Sequence, residues 1–117
     1  MIAISAKEIK NYDMKQRIIN TRIWSDSWFT KLSLDEKLMF IYLLTNERTN
    51  IAGIYEAPIN LMSAEIGIKT TRISEILAKF EKDEKITYRF GWLYLKNFLR
   101  YQELKSFNVI KGIERIT

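Results

Sequence analysis

The run Lys69-Thr70-Thr71-Arg72 concentrates the groups of this 117-residue chain best equipped for chemistry, and Lys79, Lys82, Arg89 and Lys96 follow at wider spacing. Ammonium, hydroxyl and guanidinium groups in that order donate hydrogen bonds to anions and polar edges; none is a competent nucleophile or base by itself. The chemistry they point to is recognition of a polyanion, not bond making.

Catalytic alternatives lack their parts. The chain has no cysteine and no histidine, which removes thiol nucleophiles, imidazole bases and the usual zinc ligands. Asp35 and Glu36 open a helix, where carboxylates serve capping and dipole roles. Asp83 and Glu84 close another in an exposed charge run. No carboxylate set has metal spacing, no glycine-rich phosphate loop occurs, and the serines have no histidine partner. No enzyme activity, catalytic residue, cofactor or metal is expected.

Charge placement agrees with polyanion recognition. The net charge is +5. Residues 1–68 carry eight basic and eight acidic side chains, whereas residues 69–117 carry eleven basic against six acidic. A solvated surface explains such a surplus equally well, so charge alone decides nothing. No apolar run reaches the ~18–20 residues that span a bilayer, and no signal peptide opens the chain. A cytoplasmic protein without a membrane partner is expected.

The elements that must position these groups follow from periodicity. Residues 1–14 keep neither helical nor strand period and read as an N-terminal arm. "SDSWFTKL" suggests a short helical turn with Trp28, Phe29 and Leu32 on one side. Ser33 and Glu36 have capping-box spacing at the start of "SLDEKLMFIYLLTNE". Leu34, Leu38, Ile41, Tyr42 and Thr45 fall on one face of that helix. Met39, Phe40, Leu43 and Leu44 fall on the other, which predicts a central helix covered from several directions. In "TNERTNIAGIYEAP", Asn46–Asn50 are expected to end the helix in solvent. Ile51, Ile54 and Tyr55 then form a short strand, and Pro58 begins the next helix at its first position.

Gly67 closes that helix, and another begins near Thr70 with Ile73, Ile76, Leu77 and Phe80 inward. Two short helices joined by a tight glycine-containing turn read as helix–turn–helix. "KITYRFGWLYLKNF" reads as a hairpin around Phe90–Gly91. Helix, strand, helix, helix and hairpin in that order predict a mainly α fold with a small antiparallel sheet (α+β), a winged helix-turn-helix. Residues 15–102 form the domain, and a C-terminal helical tail spans 103–117. That tail carries Val109, Ile110, Ile113 and Ile116 as an oligomerisation stripe. It ends without a terminating turn, as a fragment or shortened protein would.

In a winged helix the N-terminal end of the second helix enters the major groove. Arg72 could then pair bidentately with guanine, and Thr70 and Thr71 could donate to a phosphate or a base edge. Lys69, Lys79 and Lys82 would contact phosphates, which position without specifying. Arg89, beside the hairpin turn, could reach a minor groove or flanking phosphate; Lys96 would extend the track. The plainer account is a solvated helix face, which Glu75 supports. Trp24, Trp28, Trp92, Tyr94 and Phe98 could stack on bases, but core or sheet packing explains aromatics in such strands and turns more simply.

The segments "KQRIINTRIWSDSWFTKLSLDEKLMFIYLLTNERTNIAGIYEAPINLMSAEIGI" and "ILAKFEKDEKITYRFGWLYLKNF" carry a family likeness. Over Lys15 to Gln102 the chain resembles the N-terminal winged-helix domain of phage replisome-organiser (DnaD-like) replication initiation proteins. The strongest parts are "INTRIW", "YLLTNERTNIAGIYE" and "GWLYLKNF". The resemblance implies a double-stranded DNA partner and a role in replication initiation on phage or prophage DNA in the bacterial host cytoplasm. Proteins of this kind engage the replicative helicase or its loader through a second, C-terminal domain, which has no counterpart in this chain. Self-association as a dimer or larger assembly is expected from the C-terminal stripe. A protein-interaction module using the winged helix as a scaffold is the second reading.

Overall fold

The computed structural model describes residues 16–97, which hold four α-helices and one three-stranded antiparallel sheet. This is the α+β class that the pattern predicts. The arm (1–14) and the tail with Val109, Ile110, Ile113 and Ile116 lie outside the described residues.

A turn of 3-10 helix at Thr21–Ser25 leads into α1, Ser27–Thr30. Asp26 caps α1 by accepting from the Phe29 amide at 2.9 Å. Helix α2, Leu34–Thr45, opens with the capping box: Glu36 Oε1 accepts the Ser33 amide at 2.8 Å. Its Met39, Phe40, Leu43 and Leu44 are buried. The opposite side is covered only in part: Ile41 and Tyr42 pack against the core, whereas Leu34 is 85% exposed and Leu38 49%. With apolar residues all round, period alone cannot choose the buried face; the neighbouring helices make that choice.

The stretch after α2 also differs from the expectation. Asn46 and Thr49 are buried rather than solvated. Asn46 Nδ2 donates to the Tyr55 hydroxyl at 2.8 Å, and that hydroxyl donates to the Leu43 carbonyl at 2.6 Å. Arg17 Nη2 donates to the Thr49 carbonyl at 2.8 Å. Buried polar groups need such partners, and here they come from the flanking helix, the next strand and Arg17. Ile51 stands outside the strand in an exposed turn.

Strand β1, Ile54–Glu56, precedes α3, Ile59–Ile66. Pro58 is the N-cap of α3, one position before the expected one; its carbonyl accepts from Met62 at 3.0 Å. Gly67 ends α3 with φ +83°, a conformation in which a Cβ is strained. Helix α4, Thr70–Lys82, buries Ile73, Ile76, Leu77 and Phe80, as its spacing predicts.

Strands β2, Ile86–Arg89, and β3, Trp92–Leu95, form the hairpin. Phe90 and Gly91 both take positive φ (+53° and +80°), the signs of a type I′ turn. The sheet order is β1-β3-β2. Cα partners are Ile54 with Tyr94, Glu56 with Trp92, Thr87 with Tyr94, and Arg89 with Trp92. Tyr55, Ile86, Leu93 and Leu95 point into the core. Ile54, Trp92 and Tyr94 point away from it, and they are exposed.

The helices meet one another in the core through aromatic edges, and Tyr55, Ile86, Leu93 and Leu95 of the inner sheet face complete it. Phe40 meets Phe80 at 5.6 Å between centroids and Trp28 at 4.9 Å, both T-shaped. Such pairs contribute about 0.5–1.5 kcal/mol beyond area burial. They fix α1, α2 and α4 to one another and so set the direction in which α4 presents its first turn.

Candidate functional site

The first turn of α4 gathers Lys69, Thr70, Thr71 and Arg72. Lys69 is the N-cap residue, with φ −60° and ψ 144°, and it is exposed with Thr70 and Thr71. The helix begins where Gly67 turns the chain; Ser63 Oγ donates to the Ile68 carbonyl at 2.5 Å and braces that turn. An N-terminus of this kind presents unpaired amides and a partial positive charge to anions.

Arg72 is engaged differently from its neighbours. Its Nε lies 2.7 Å from Asp35 Oδ2 and its Nη2 3.1 Å from Asp35 Oδ1, a two-pronged pair between α4 and α2. Glu36 Oε2 stands 3.5 Å from Nη2, and Glu75 Oε1 3.8 Å from Nη1. Three carboxylates thus face one guanidinium. The Arg72 hydrogen bonds, helped by one from the Ser33 hydroxyl, hold the Asp35 carboxyl well below the usual carboxylate range. Asp35 was expected to serve only the helix end. Its partner is 37 positions away, a distance no local pattern bridges.

The remaining candidates stand apart from the first turn. Helix α4 spans 13 residues, so its two ends are about 20 Å apart. Near the far end, Lys79 Nζ lies 3.1 Å from Asp83 Oδ2, which also accepts from Trp28 Nε1 at 2.8 Å. The Trp28 bond, ahead of Lys79, draws the Asp83 carboxyl below its ordinary value. Lys82 is exposed. Lys85 stands 4.8 Å above the Trp28 ring.

On the hairpin, Arg89 Nη1 reaches Glu81 Oε1 at 2.6 Å. The same carboxylate oxygen accepts the Tyr88 amide at 2.8 Å. That amide first, then Arg89, lowers the Glu81 carboxyl, and Lys96 acts in the same direction through space. The structure therefore brings Lys69, Thr70, Thr71 and Arg72 together, and separately Arg89 against Glu81, with Lys96 acting on that carboxylate only through space. It does not merge the two sets with Lys79 and Lys82 into one basic patch.

Two features differ from what the sequence predicts. Trp92 and Tyr94, expected to pack, are 51% and 44% exposed, and Trp24 is exposed as well. Phe90, read simply as a turn residue, is 98% exposed. An aromatic where a type I′ turn favours Asn, Asp or Gly was the signal available for it. Among the described residues no group of three acidic, histidine or cysteine side chains could hold a metal ion, and no helix is long and apolar enough to cross a membrane. Comparison with protein-family models, with curated proteins and with solved structures finds no match.

Proposed function

We propose that this chain is a DNA-binding winged helix of a phage or prophage replication initiation protein, acting without catalysis or cofactor. In this reading α3 and α4 are the helix–turn–helix, β2–β3 is the wing, and duplex DNA meets the first turn of α4. The observation that carries it is the exposed Lys69-Thr70-Thr71 turn, presented by a tight glycine-closed helix pair and followed directly by a hairpin. Lys69 and the helix N-terminus take phosphate, and Thr70 and Thr71 reach base edges. Arg72 reads guanine only when it exchanges Asp35 for the base. Lys82, Arg89 and Lys96 add phosphate contacts along the flank, and Lys79 contributes through its pair with Asp83.

Fluorescence anisotropy on a short duplex at several salt concentrations tests this. Each neutralised phosphate adds about −0.9 to the slope of log K against log salt. Lys69→Ala combined with Thr71→Ala is expected to weaken binding and flatten that slope by about one phosphate. Unchanged binding by this double variant, or no binding by the parent at low salt, overturns the reading.

A second reading, a protein-interaction module, draws on Leu34 and Leu38, which form an exposed apolar edge of α2. Leu38→Asp that dissociates an assembly while duplex binding is absent would favour it. A helicase or helicase-loader partner and self-association through Val109, Ile110, Ile113 and Ile116 belong to the proposal in the same way.

A further inference from the structure

The outer face of the sheet presents aromatic rings where a soluble sheet normally presents polar groups. Phe90, Trp92 and Tyr94 alternate along the tip and second strand of the hairpin, and all three are exposed. Trp92 lies across from Arg89 on one side and Glu56 on the other; Tyr94 lies between Thr87 and Ile54. Phe90 keeps a positive φ that an L side chain rarely adopts, in a position where its ring gains no burial. Neither folding nor the duplex contact at α4 calls for these rings.

We propose that this face binds single-stranded nucleic acid, with successive bases stacking on Trp92 and Tyr94 and a third on Phe90 at the tip. The spacing favours single strands over duplex. Alternate residues of a strand are about 6.8 Å apart, twice the ~3.4 Å rise of stacked bases in a duplex. Bases seated on neighbouring rings must be unstacked from one another, which a single strand allows at small cost. On the β2 side Arg89 is exposed and lies 2.6 Å from Glu81, on which Lys96 also acts through space. Glu56, beside Trp92 on the β1 side, is the acidic side chain of this face. A strand of phosphates would therefore run along the β2 edge, away from Glu56, and compete with Glu81 for Arg89. Ring stacking is indifferent to sequence, since every base has a π face.

The test uses fluorescein-labelled oligothymidylate and oligouridylate with the full chain, followed by anisotropy at low salt. Trp92→Ala with Tyr94→Ala is expected to weaken binding about ten-fold or more, leaving duplex affinity unchanged and the chain folded, with a lower thermal midpoint because both rings are half-buried cross-strand partners. Glu56→Gln is expected to tighten single-strand binding. Equal binding by the double variant and the parent overturns the proposal, as does no binding of either oligonucleotide by the parent. So does a parent that self-associates in sedimentation velocity, a double variant that does not, and single-strand binding unchanged between them; the face is then an interface between copies. Failure of the duplex reading is separate, because its variants lie in α4 and are scored on duplex alone.

Discussion

Arg72 in the first turn of α4 is held by Asp35 at the start of α2, with Nε to Oδ2 at 2.7 Å and Nη2 to Oδ1 at 3.1 Å. The pair ties the helix that faces outward to the helix at the centre of the fold. It also occupies one edge of the guanidinium, so any partner that seeks Arg72 must compete with a carboxylate already in place.

The pair makes stability pH-dependent. The folded-state value of Asp35 lies below its unfolded value of about 3.9. The ionised carboxylate therefore contributes its full share above about pH 4–5 and loses it progressively as pH falls further. Both groups are partly solvated, which limits the size of the effect. Urea unfolding across this range should show a shallower acid loss for Asp35→Asn than for the parent.

The same pair should couple to DNA. Asp35→Asn is expected to tighten duplex binding, and Arg72→Ala should change it little in the parent yet abolish the gain in the Asp35→Asn background. A double-mutant cycle on duplex affinity measures this coupling. Additive effects would show that Asp35 does not withhold Arg72.

Tyr55→Phe should destabilise the fold by about 1–3 kcal/mol, since it removes the hydroxyl from the buried Leu43 carbonyl and leaves Asn46 Nδ2 with the Tyr42 carbonyl alone. The ring is retained, so the loss isolates the hydroxyl. Chemical denaturation reports it as a lower midpoint with an unchanged slope.

Phe90→Asn should stabilise the hairpin by a few tenths to about 1 kcal/mol, because Asn tolerates the positive φ and no packing is lost at a position so exposed. A higher thermal midpoint checks it. The same substitution is expected to weaken single-strand binding, which would show that the ring is kept at the expense of stability.

Legibility in the sequence tracked the kind of interaction. Helix α4 was readable because one clean stripe, Ile73-Ile76-Leu77-Phe80, alternates with polar positions. The turns at Gly67 and Phe90–Gly91 were readable because each needs a positive φ beside a tight reversal. The exposed face of β3 was not, since Trp92-Leu93-Tyr94-Leu95 is apolar throughout and period two has nothing to separate. The buried side of α2 was obscured in the same way by Leu34 and Leu38. Lys69, Thr70 and Thr71 could be placed on one turn from sequence; the engagement of Arg72 by Asp35 depends on two helices meeting and left no local trace.

Strand β1 is joined to β3, while β2 is joined to β3 on the other side. Helices α3 and α4 lie in the chain between β1 and β3, so the whole helix pair is a loop drawn shut at its base by a ladder three residues long. Tension on the first turn of α4 would be borne first by the Asp35 pair and the packing of Phe80 on Phe40, and only then at that ladder. Its amides should therefore exchange with solvent at the rate at which the helix pair comes undone, and a ligand that grips α4 should slow exchange in β1 without touching it.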